Sequence, residues 1–284
     1  MSSYPSPHPS HTTDDIRAFF DAFASSNAEQ HGPASELLQY RMSVLRQFGR
    51  WSEEHTVVDL GCGNGHHLAV MARDIDEGIG VDLSPQMIAT ARRMATAPNL
   101  SFFVDDVEAC DTLRDASADV VICTGVIEHV LRPADVFAQV RRILRPGGRF
   151  VVLTVNDSFW WYRLADRLGL PTRHLSSDKR LTERDAQRFF AESGLDGSVA
   201  PWTFVPRGDM PRTVSLACDA SDALGRWLNA PSLRGGLVLY GLRPMPISPS
   251  EERDGRPGRA ADEIHRRRRP AAQRAAVVSH DGND

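Results

Sequence analysis

The sequence predicts an α/β fold in which a parallel sheet is covered by helices on both faces. Between residues 56 and 155, short apolar runs alternate with helical stretches. This alternation is typical of a parallel sheet, because each helix carries the chain back to the edge where the next strand begins. The chain is also large enough to bury a sizeable core, since it has 284 residues of which 41% are hydrophobic.

Two amphipathic helices are predicted ahead of the sheet. From Asp14 onwards, apolar residues recur at the spacing of one helical face, and after the Gly32-Pro33 break the same spacing continues to Phe48. Residues 1–13 are rich in Ser, Pro and His, and we expect them to be disordered. They lack the basic start and the apolar stretch of a signal peptide.

The alternating elements then follow in a regular order. The expected strands are 56–60, 78–81, 100–104, 120–123 and 149–155, with helices near 65–73, 85–95 and 134–144. After residues 156–182, which interrupt this rhythm, a helix is expected at 183–193 and strands near 198–206 and 236–242, with a short helix near 218–229 between them. Residues 246–284 hold almost no large apolar groups, which predicts a disordered tail.

Charge and composition exclude several classes of protein. The formal net charge is -4, which gives no general reason to expect nucleic-acid binding. No apolar run approaches the roughly 20 residues that span a bilayer, so the protein is expected in the cytoplasm without a membrane contact. The four cysteines form no CxxC or Cys/His spacing, so reduced thiols in the core are expected rather than zinc ligands.

The first motif with chemical content spans residues 57–65. A hydrophobic strand ends near Asp59, and glycines follow at 61, 63 and 65 before a helix begins. Glycines permit a tight turn on which a ligand can lie against bare backbone. The dinucleotide fingerprint needs its third glycine at position 66, where this chain has His66, and this argues against a nicotinamide oxidoreductase.

Acids follow the next two strands. Asp82 ends the second strand, where a carboxylate can accept hydrogen bonds from both hydroxyls of a ribose, although a helix-capping turn is the alternative. Leu83 would then pack on an adenine. After the third strand, Asp106 fits an adenine amino group better by register than Asp105, with a solvated turn as the alternative.

Together with these acids, the segments VVDLGCGNG, GVDLS, VIEHV and LRPGGRF resemble, in this order, the class I S-adenosylmethionine-dependent methyltransferases. These include the ubiquinone- and menaquinone-biosynthesis enzymes and small-molecule methyltransferases of natural products. The resemblance covers about residues 55–195, and more loosely 14–243. It implies a Rossmann-like sheet of seven strands in which the last strand is antiparallel. It also implies that the N-terminal helices, residues 14–50, form a lid on the cofactor.

The resemblance also implies the cofactor and its contacts. S-adenosyl-L-methionine, with S-adenosyl-L-homocysteine as product, would bind at the carboxyl ends of strands one, two and four. The expected cofactor-binding residues are Asp59, Gly61, Gly63, Gly65, Asp82, Leu83, Asp106, Val107, Thr124 and Arg41. In ubiquinone-type relatives the segment matching 124–129 carries a further acid and can hold a divalent metal. Gly125 replaces that acid here, so no metal is expected.

A hydroxyl acceptor needs a base to take its proton. His129 is the first candidate, because a neutral imidazole titrates near working pH, and Glu128 would orient it. The alternative is that both residues only order their loop. His174 is the second candidate base. Tyr40, Trp160 and Trp161 are expected to contact substrate. The two tryptophans belong to a substrate cap formed by residues 156–182, and the alternative is that this cap packs on itself.

The sequence thus predicts one methyltransferase domain over residues 14–245, acting on a small-molecule metabolite or natural product, most simply at oxygen. Nitrogen or carbon methylation remains open, as does a regulatory protein that binds the cofactor without turnover. The chain is expected to act as a monomer or homodimer.

Overall fold

The computed structural model describes residues 12–30, 36–170, 178–202, 212–228 and 230–246. Residues 1–11 and 247–284, where disorder is expected, and the candidate base His174 lie outside the described residues. No helix in the described ranges combines the length and the apolar character that crossing a membrane would need.

The elements alternate as predicted. In chain order they are α1 (Thr13–Gln30), α2 (Glu36–Gly49), β1 (Thr56–Leu60), α3 (His66–Met71), β2 (Glu77–Asp82), α4 (Pro85–Met94), β3 (Leu100–Val104), β4 (Ala118–Thr124), α5 (Pro133–Ile143), β5 (Leu144–Val155), α6 (Trp160–Arg167), α7 (Glu183–Ser193), β6 (Asp196–Trp202), α8 (Arg212–Leu228), a 3₁₀ turn (Pro231–Leu233) and β7 (Gly236–Leu242).

The seven strands form one sheet in the order β3-β2-β1-β4-β5-β7-β6. β1 to β5 pair in parallel, whereas β7 runs antiparallel to both of its neighbours, β5 and β6. The strand order reverses between β1 and β4, and in open α/β sheets ligands bind outside the carboxyl ends of the strands at such a point. The expected seven-stranded Rossmann-like sheet with its last strand antiparallel is confirmed.

Both faces of the sheet are covered by apolar side chains. Val57 and Ile122 belong to one buried cluster, with residues of α2, α3 and α4, while Val58 and Val121 belong to the other, with residues of α5 and α7. Neighbouring residues in a strand point to opposite faces. Because both faces are buried, the central strands have continuous apolar runs rather than alternating patterns.

The fifth strand differs most from its predicted bounds. It begins at Leu144, directly after α5, rather than at Arg149. Leu144 pairs with Ala118, and the register then shifts before Val120 pairs with Arg149. The Pro-Gly-Gly segment therefore lies within the strand, where Gly147 adopts a φ of 81°. A register shift of this kind leaves no periodic signal in the apolar pattern.

A buried arginine connects the region after β5 with the segment before α7. The side chain of Arg180 is 4% exposed; its Nε donates to Asp157 at 3.0 Å, and its Nη2 donates to Asp166 of α6. The guanidinium also lies over the ring of Tyr162, 4.7 Å from its centre. One side chain thus holds α6 against the segment that leads into α7.

Replacing Arg180 with methionine is expected to lower the free energy of unfolding by about 1–3 kcal/mol, because it removes two charge-assisted hydrogen bonds and a cation–π contact. Urea unfolding measures this change. The control is Arg188→Met, since the exposed Arg188 lies 3.7–3.9 Å from its acidic neighbours and should shift stability by less than about 0.5 kcal/mol. Equal effects of the two substitutions would contradict the anchoring role of Arg180.

Candidate active site

The loop between β1 and α3 is built on its glycines. Gly61, Gly63 and Gly65 have φ values of 74°, 52° and 76°. A Cβ on Gly61 would lie 2.2 Å from Val126 Cγ2, and one on Gly65 would lie 2.9 Å from the ring of Phe102. At Gly63, by contrast, an added Cβ would meet nothing within 4 Å. The outer glycines are thus required by close packing, whereas the middle one borders open space.

Asp59 is fully buried immediately before this loop. Neither of its carboxylate oxygens has a hydrogen-bond partner. His67 Nδ1 lies 3.4 Å from Oδ2, which is an ion-pair distance if that ring is protonated, but it does not form a hydrogen bond. Burying an unsatisfied carboxylate is costly. A ligand that brings a donor or a positive charge to Asp59 would remove this cost.

Unsatisfied groups also occur on α2 and at the end of β4. Arg41 Nε on α2 and Thr124 Oγ1 at the end of β4 are buried without a hydrogen-bond partner. Burial lowers the pKa of Arg41, while the negative charges of Glu128 and Asp59 oppose this shift. The charges of both acids therefore act on the Arg41 guanidinium. The site therefore offers a carboxylate and a guanidinium to a ligand that carries both signs of charge.

Asp82 lies at the end of β2 and connects two loops. Its Oδ2 accepts a hydrogen bond from Gly63 N and its Oδ1 accepts one from Ser84 N, both at 2.9 Å. Burial raises the pKa of Asp82 to about 6, although these two backbone hydrogen bonds act in the opposite direction. An ionised carboxylate has about four acceptor positions, so two remain for a ligand. Leu83, beside it, is half-buried.

The acids after β3 have different surroundings. Asp105 is buried, and its Oδ2 accepts hydrogen bonds from the backbone N and the hydroxyl of Thr112, at 2.8 and 2.5 Å. Asp106 is half-buried, and its Oδ1 accepts one hydrogen bond from Glu108 N at 2.9 Å. Asp105 therefore holds its own loop, and Asp106 keeps more acceptor capacity for a ligand. Val107 is buried in the core.

Helix α1 packs against three parts of the site. Asp21 accepts hydrogen bonds from Ser84 Oγ at 2.5 Å and from Gln86 N at 3.3 Å. Asn64 Nδ2, in the glycine loop, donates to the backbone oxygen of Ala24 at 3.2 Å. The ring of Phe20 lies edge-on to the ring of His129, with centres 5.2 Å apart. This helix thus covers the glycine loop, the end of β2 and the loop after β4.

The loop after β4 carries the two candidate catalytic residues. Glu128 Oε2 accepts a hydrogen bond from Thr154 Oγ1 at 3.0 Å. His129 Nδ1 lies 2.8 Å from Asp178 Oδ1. Burial lowers the pKa of His129, but the hydrogen bond to Asp178 and the charges of Asp178 and Glu128 outweigh this, so its pKa lies above the usual value.

Gly125 lies beside Arg41 rather than beside a third acid. A Cβ at this position would lie 3.6 Å from Arg41 Nη2 and 3.9 Å from Glu128 Oε1. Within the described ranges, no three His, Cys, Asp or Glu side chains are grouped so that they could hold a metal ion. That the protein uses no metal stays a prediction.

The aromatic residues expected to contact substrate have protein partners. Tyr40 stacks on Trp202 with ring centres 5.6 Å apart. Trp160 Nε1 donates to Ser221 Oγ at 2.8 Å, and Trp161 is 8% exposed in a cluster with residues of α6 and α8. The two tryptophans thus contact each other and residues of α8. Their role toward a substrate stays a prediction.

Three residues of this site were missed by sequence reasoning. Asp21 lies on a helix whose apolar spacing was its only signal, Asn64 lies between two glycines, and Asp178 lies in a segment without periodicity. None of the three residues lies in the same sequence motif as the residue that it contacts, and Asp178 is 49 positions from His129. No spacing rule could have found them.

Part of this chain is similar in sequence to known methyltransferases. A family model described as a methyltransferase domain matches residues 58–152, from β1 into β5. The ubiquinone biosynthesis O-methyltransferase of Methylococcus capsulatus is 34% identical over 111 residues, which cover 38% of this chain and 46% of that protein. The chain spans about half the length of the curated relatives that it matches first.

Solved structures share the fold at low sequence identity. The [4+2]-cyclase SpnF has a TM-score of 0.62 at 17% identity, covering 85% of this chain and all of that one. The geranyl diphosphate C-methyltransferase of Streptomyces coelicolor, solved with Mg²⁺, geranyl diphosphate and S-adenosylhomocysteine, has a TM-score of 0.59 at 15% identity, with 84% and 100% coverage. At such identities the likeness shows the fold alone, which can support different reactions.

Proposed function

We propose that this chain, in which residues 58–152 match a methyltransferase-domain model, is a class I S-adenosylmethionine-dependent methyltransferase that transfers a methyl group from that cofactor to a hydroxyl of a small-molecule acceptor. The observation that carries the proposal is Asp59, a fully buried carboxylate whose two oxygens have no hydrogen-bond partner. A buried acid of this kind suits a ligand that is cationic, as S-adenosylmethionine is at its ammonium and sulfonium groups.

The other unsatisfied groups fit the same ligand. Arg41 would pair with the carboxylate of its methionine moiety, and Thr124 Oγ1, at the end of β4, would supply a further polar contact. Asp82 would accept hydrogen bonds from the two ribose hydroxyls. Asp106 would accept one from the adenine amino group, with Leu83 and Val107 as apolar neighbours of that base. Gly63 leaves the space that backbone contact requires.

S-adenosylmethionine supplies an electrophilic methyl group and a neutral sulfide as leaving group. The protein's part is to align the acceptor and exclude water, and orientation contributes up to about 7–11 kcal/mol in ideal cases. His129 takes the hydroxyl proton as the new O–C bond forms and the C–S bond breaks, leaving its electron pair on sulfur. Glu128 stabilises the imidazolium by its charge, consistent with its effect on the pKa of His129.

Two observations support oxygen as the acceptor. A hydroxyl, unlike a neutral amine, is a good nucleophile only as its proton is removed, and His129 is a base with nearby acids that stabilise its protonated form. The curated relative from Methylococcus capsulatus is named an O-methyltransferase. Residues 14–245 would form the catalytic domain of a cytoplasmic protein.

The proposal is tested by binding and by turnover. Calorimetry should detect S-adenosylhomocysteine and not NAD; tight binding of NAD with none of S-adenosylhomocysteine would refute the cofactor assignment. A screen of phenols, alcohols, amines and activated carbon acids with a labelled methyl donor then identifies the acceptor. Label recovered on an amine or carbon product alone would refute oxygen transfer. Cofactor binding without transfer to any acceptor class would favour a regulatory role.

Asp21→Asn is expected to speed release of bound S-adenosylhomocysteine about 3- to 30-fold, because it weakens two hydrogen bonds that hold α1 over the end of β2. Stopped-flow displacement measures the rate. The matched control is Asp14→Asn on the same helix, whose side chain is 83% exposed and should leave the rate unchanged. An unchanged rate in Asp21→Asn would show that α1 does not retain the ligand.

A further inference from the structure

We infer that Asp178 is a positioning residue that fixes the ring orientation and the tautomer of His129. The inference rests on the proposed function, since a base must present an acceptor nitrogen to the hydroxyl. Sequence motifs do not point to Asp178, and its role follows from where the folded chain places it.

The contact between the two side chains is short and shielded from water. Asp178 Oδ1 lies 2.8 Å from His129 Nδ1, and the side chains are 5% and 11% exposed. In such surroundings a hydrogen bond to a carboxylate is strengthened. The charged groups that face His129 in the described residues are Asp178 and Glu128, while α1 presents the uncharged ring of Phe20.

Contacts of the neighbouring residues place Asp178 independently of its own side chain. Lys179 N donates to the backbone oxygen of Glu128 at 2.7 Å, and Lys179 Nζ donates to the backbone oxygen of Leu131 at 2.5 Å. The Glu108 carboxylate accepts hydrogen bonds from Leu131 N at 2.7 Å and Arg132 N at 3.1 Å. The histidine loop and the Asp178 segment are thus docked on each other, so a substitution at 178 should keep both in place.

The carboxylate determines which nitrogen of a neutral imidazole carries the proton. Asp178 can only accept, so it selects the tautomer with hydrogen on Nδ1 and leaves the acceptor lone pair on Nε2. The hydroxyl proton then moves to Nε2 as the O–C bond forms and the C–S bond breaks, and Asp178 stabilises the resulting imidazolium through its hydrogen bond to Nδ1. An asparagine at 178 could instead donate to Nδ1 and select the opposite tautomer, with the lone pair turned away from the acceptor.

The direct test is a spectroscopic one on the full-length protein. At a pH above the raised pKa of His129, where the ring is neutral, its ring ¹⁵N shifts, assigned by comparison with His129→Gln, should report the Nδ1–H tautomer in the wild type and a shift toward Nε2–H in Asp178→Asn. The control is Asp119→Asn, which removes a hydrogen-bonded carboxylate at the amino end of β4 and should leave these shifts unchanged. Identical His129 shifts in wild type and Asp178→Asn would overturn the inference, whatever the activity.

Kinetics test the same role through a double-mutant cycle. Once an acceptor is known, Asp178→Asn should lower kcat about 100-fold with little change in KM, and its effect should vanish in the His129→Gln background. Equal effects in both backgrounds would show that Asp178 acts elsewhere and would overturn the inference. If the wild type transfers no methyl group to any acceptor, the proposed function fails, while the ¹⁵N measurement still decides the role of Asp178.

Discussion

His129→Ala is expected to lower kcat about 100- to 10,000-fold while leaving the affinity for S-adenosylhomocysteine nearly unchanged. The imidazole is proposed to take the acceptor's proton, and general-base catalysis contributes a factor of this size. The effect of this substitution on cofactor binding should be small, because the imidazole contacts Asp178 and the ring of Phe20 and is influenced by the charge of Glu128, and these three residues lie outside the glycine loop. Turnover with a labelled methyl donor and calorimetry measure the two quantities.

The control for this prediction is His55→Ala, at the opposite edge of the sheet ahead of β1, where the imidazole accepts a hydrogen bond from Ser52 N. It should leave both turnover and affinity unchanged. If His129→Ala kept its turnover and lost only cofactor affinity, the residue would be part of the cofactor pocket and the assignment as base would be wrong.

Asp82→Ala is expected to weaken binding of S-adenosylhomocysteine about 100- to 1,000-fold. The carboxylate is proposed to accept hydrogen bonds from both ribose hydroxyls, and each hydrogen bond to a charged group contributes about 1.5–3 kcal/mol. It also holds Gly63 N and Ser84 N, so the glycine loop loses a support as well. Asp82→Asn should show an intermediate loss, because an amide oxygen still accepts.

The pH dependence of binding provides a separate check on Asp82. Its pKa is about 6 in the ligand-free protein, and hydrogen bonds from ribose hydroxyls would favour the ionised form and lower that pKa. Binding therefore releases a proton below pH 6, and affinity should fall as the pH drops through this value, by at most about tenfold per unit. Calorimetry from about pH 5 to 8 measures this. Persistence of the same fall in Asp82→Asn would contradict it.

Most of the sheet could be predicted from the sequence because its signals are local. β1 and β3 have the predicted bounds, and α7 begins and ends where its capping residues indicate, with a capping box at Thr182 and a left-handed Gly194. α8 begins six residues before its predicted start at 218. Its outward residues are as apolar as its buried ones, so periodicity indicates no clear boundary.

The sequence by itself determined the glycine loop and the acids beside it. Gly61 and Gly65 are required by backbone conformation and close contacts, and the acids Asp59 and Asp82 follow from their places on parallel strands whose carboxyl ends meet at one edge. These features depend on neighbours in the chain and on the regular geometry of a sheet. Spacing and residue type are therefore sufficient to predict these features.

Only the tertiary structure decided which distant side chains complete the site. Asp178 meets His129 across 49 positions, and Asp21 meets Ser84 across 63. The charges of Asp59 and Glu128 act on Arg41 because α2 packs over the sheet. Such contacts depend on how helices and loops dock on the sheet, which is set by packing over the whole core. No local pattern specifies that docking, so the residues that orient the candidate base became visible only in the folded chain.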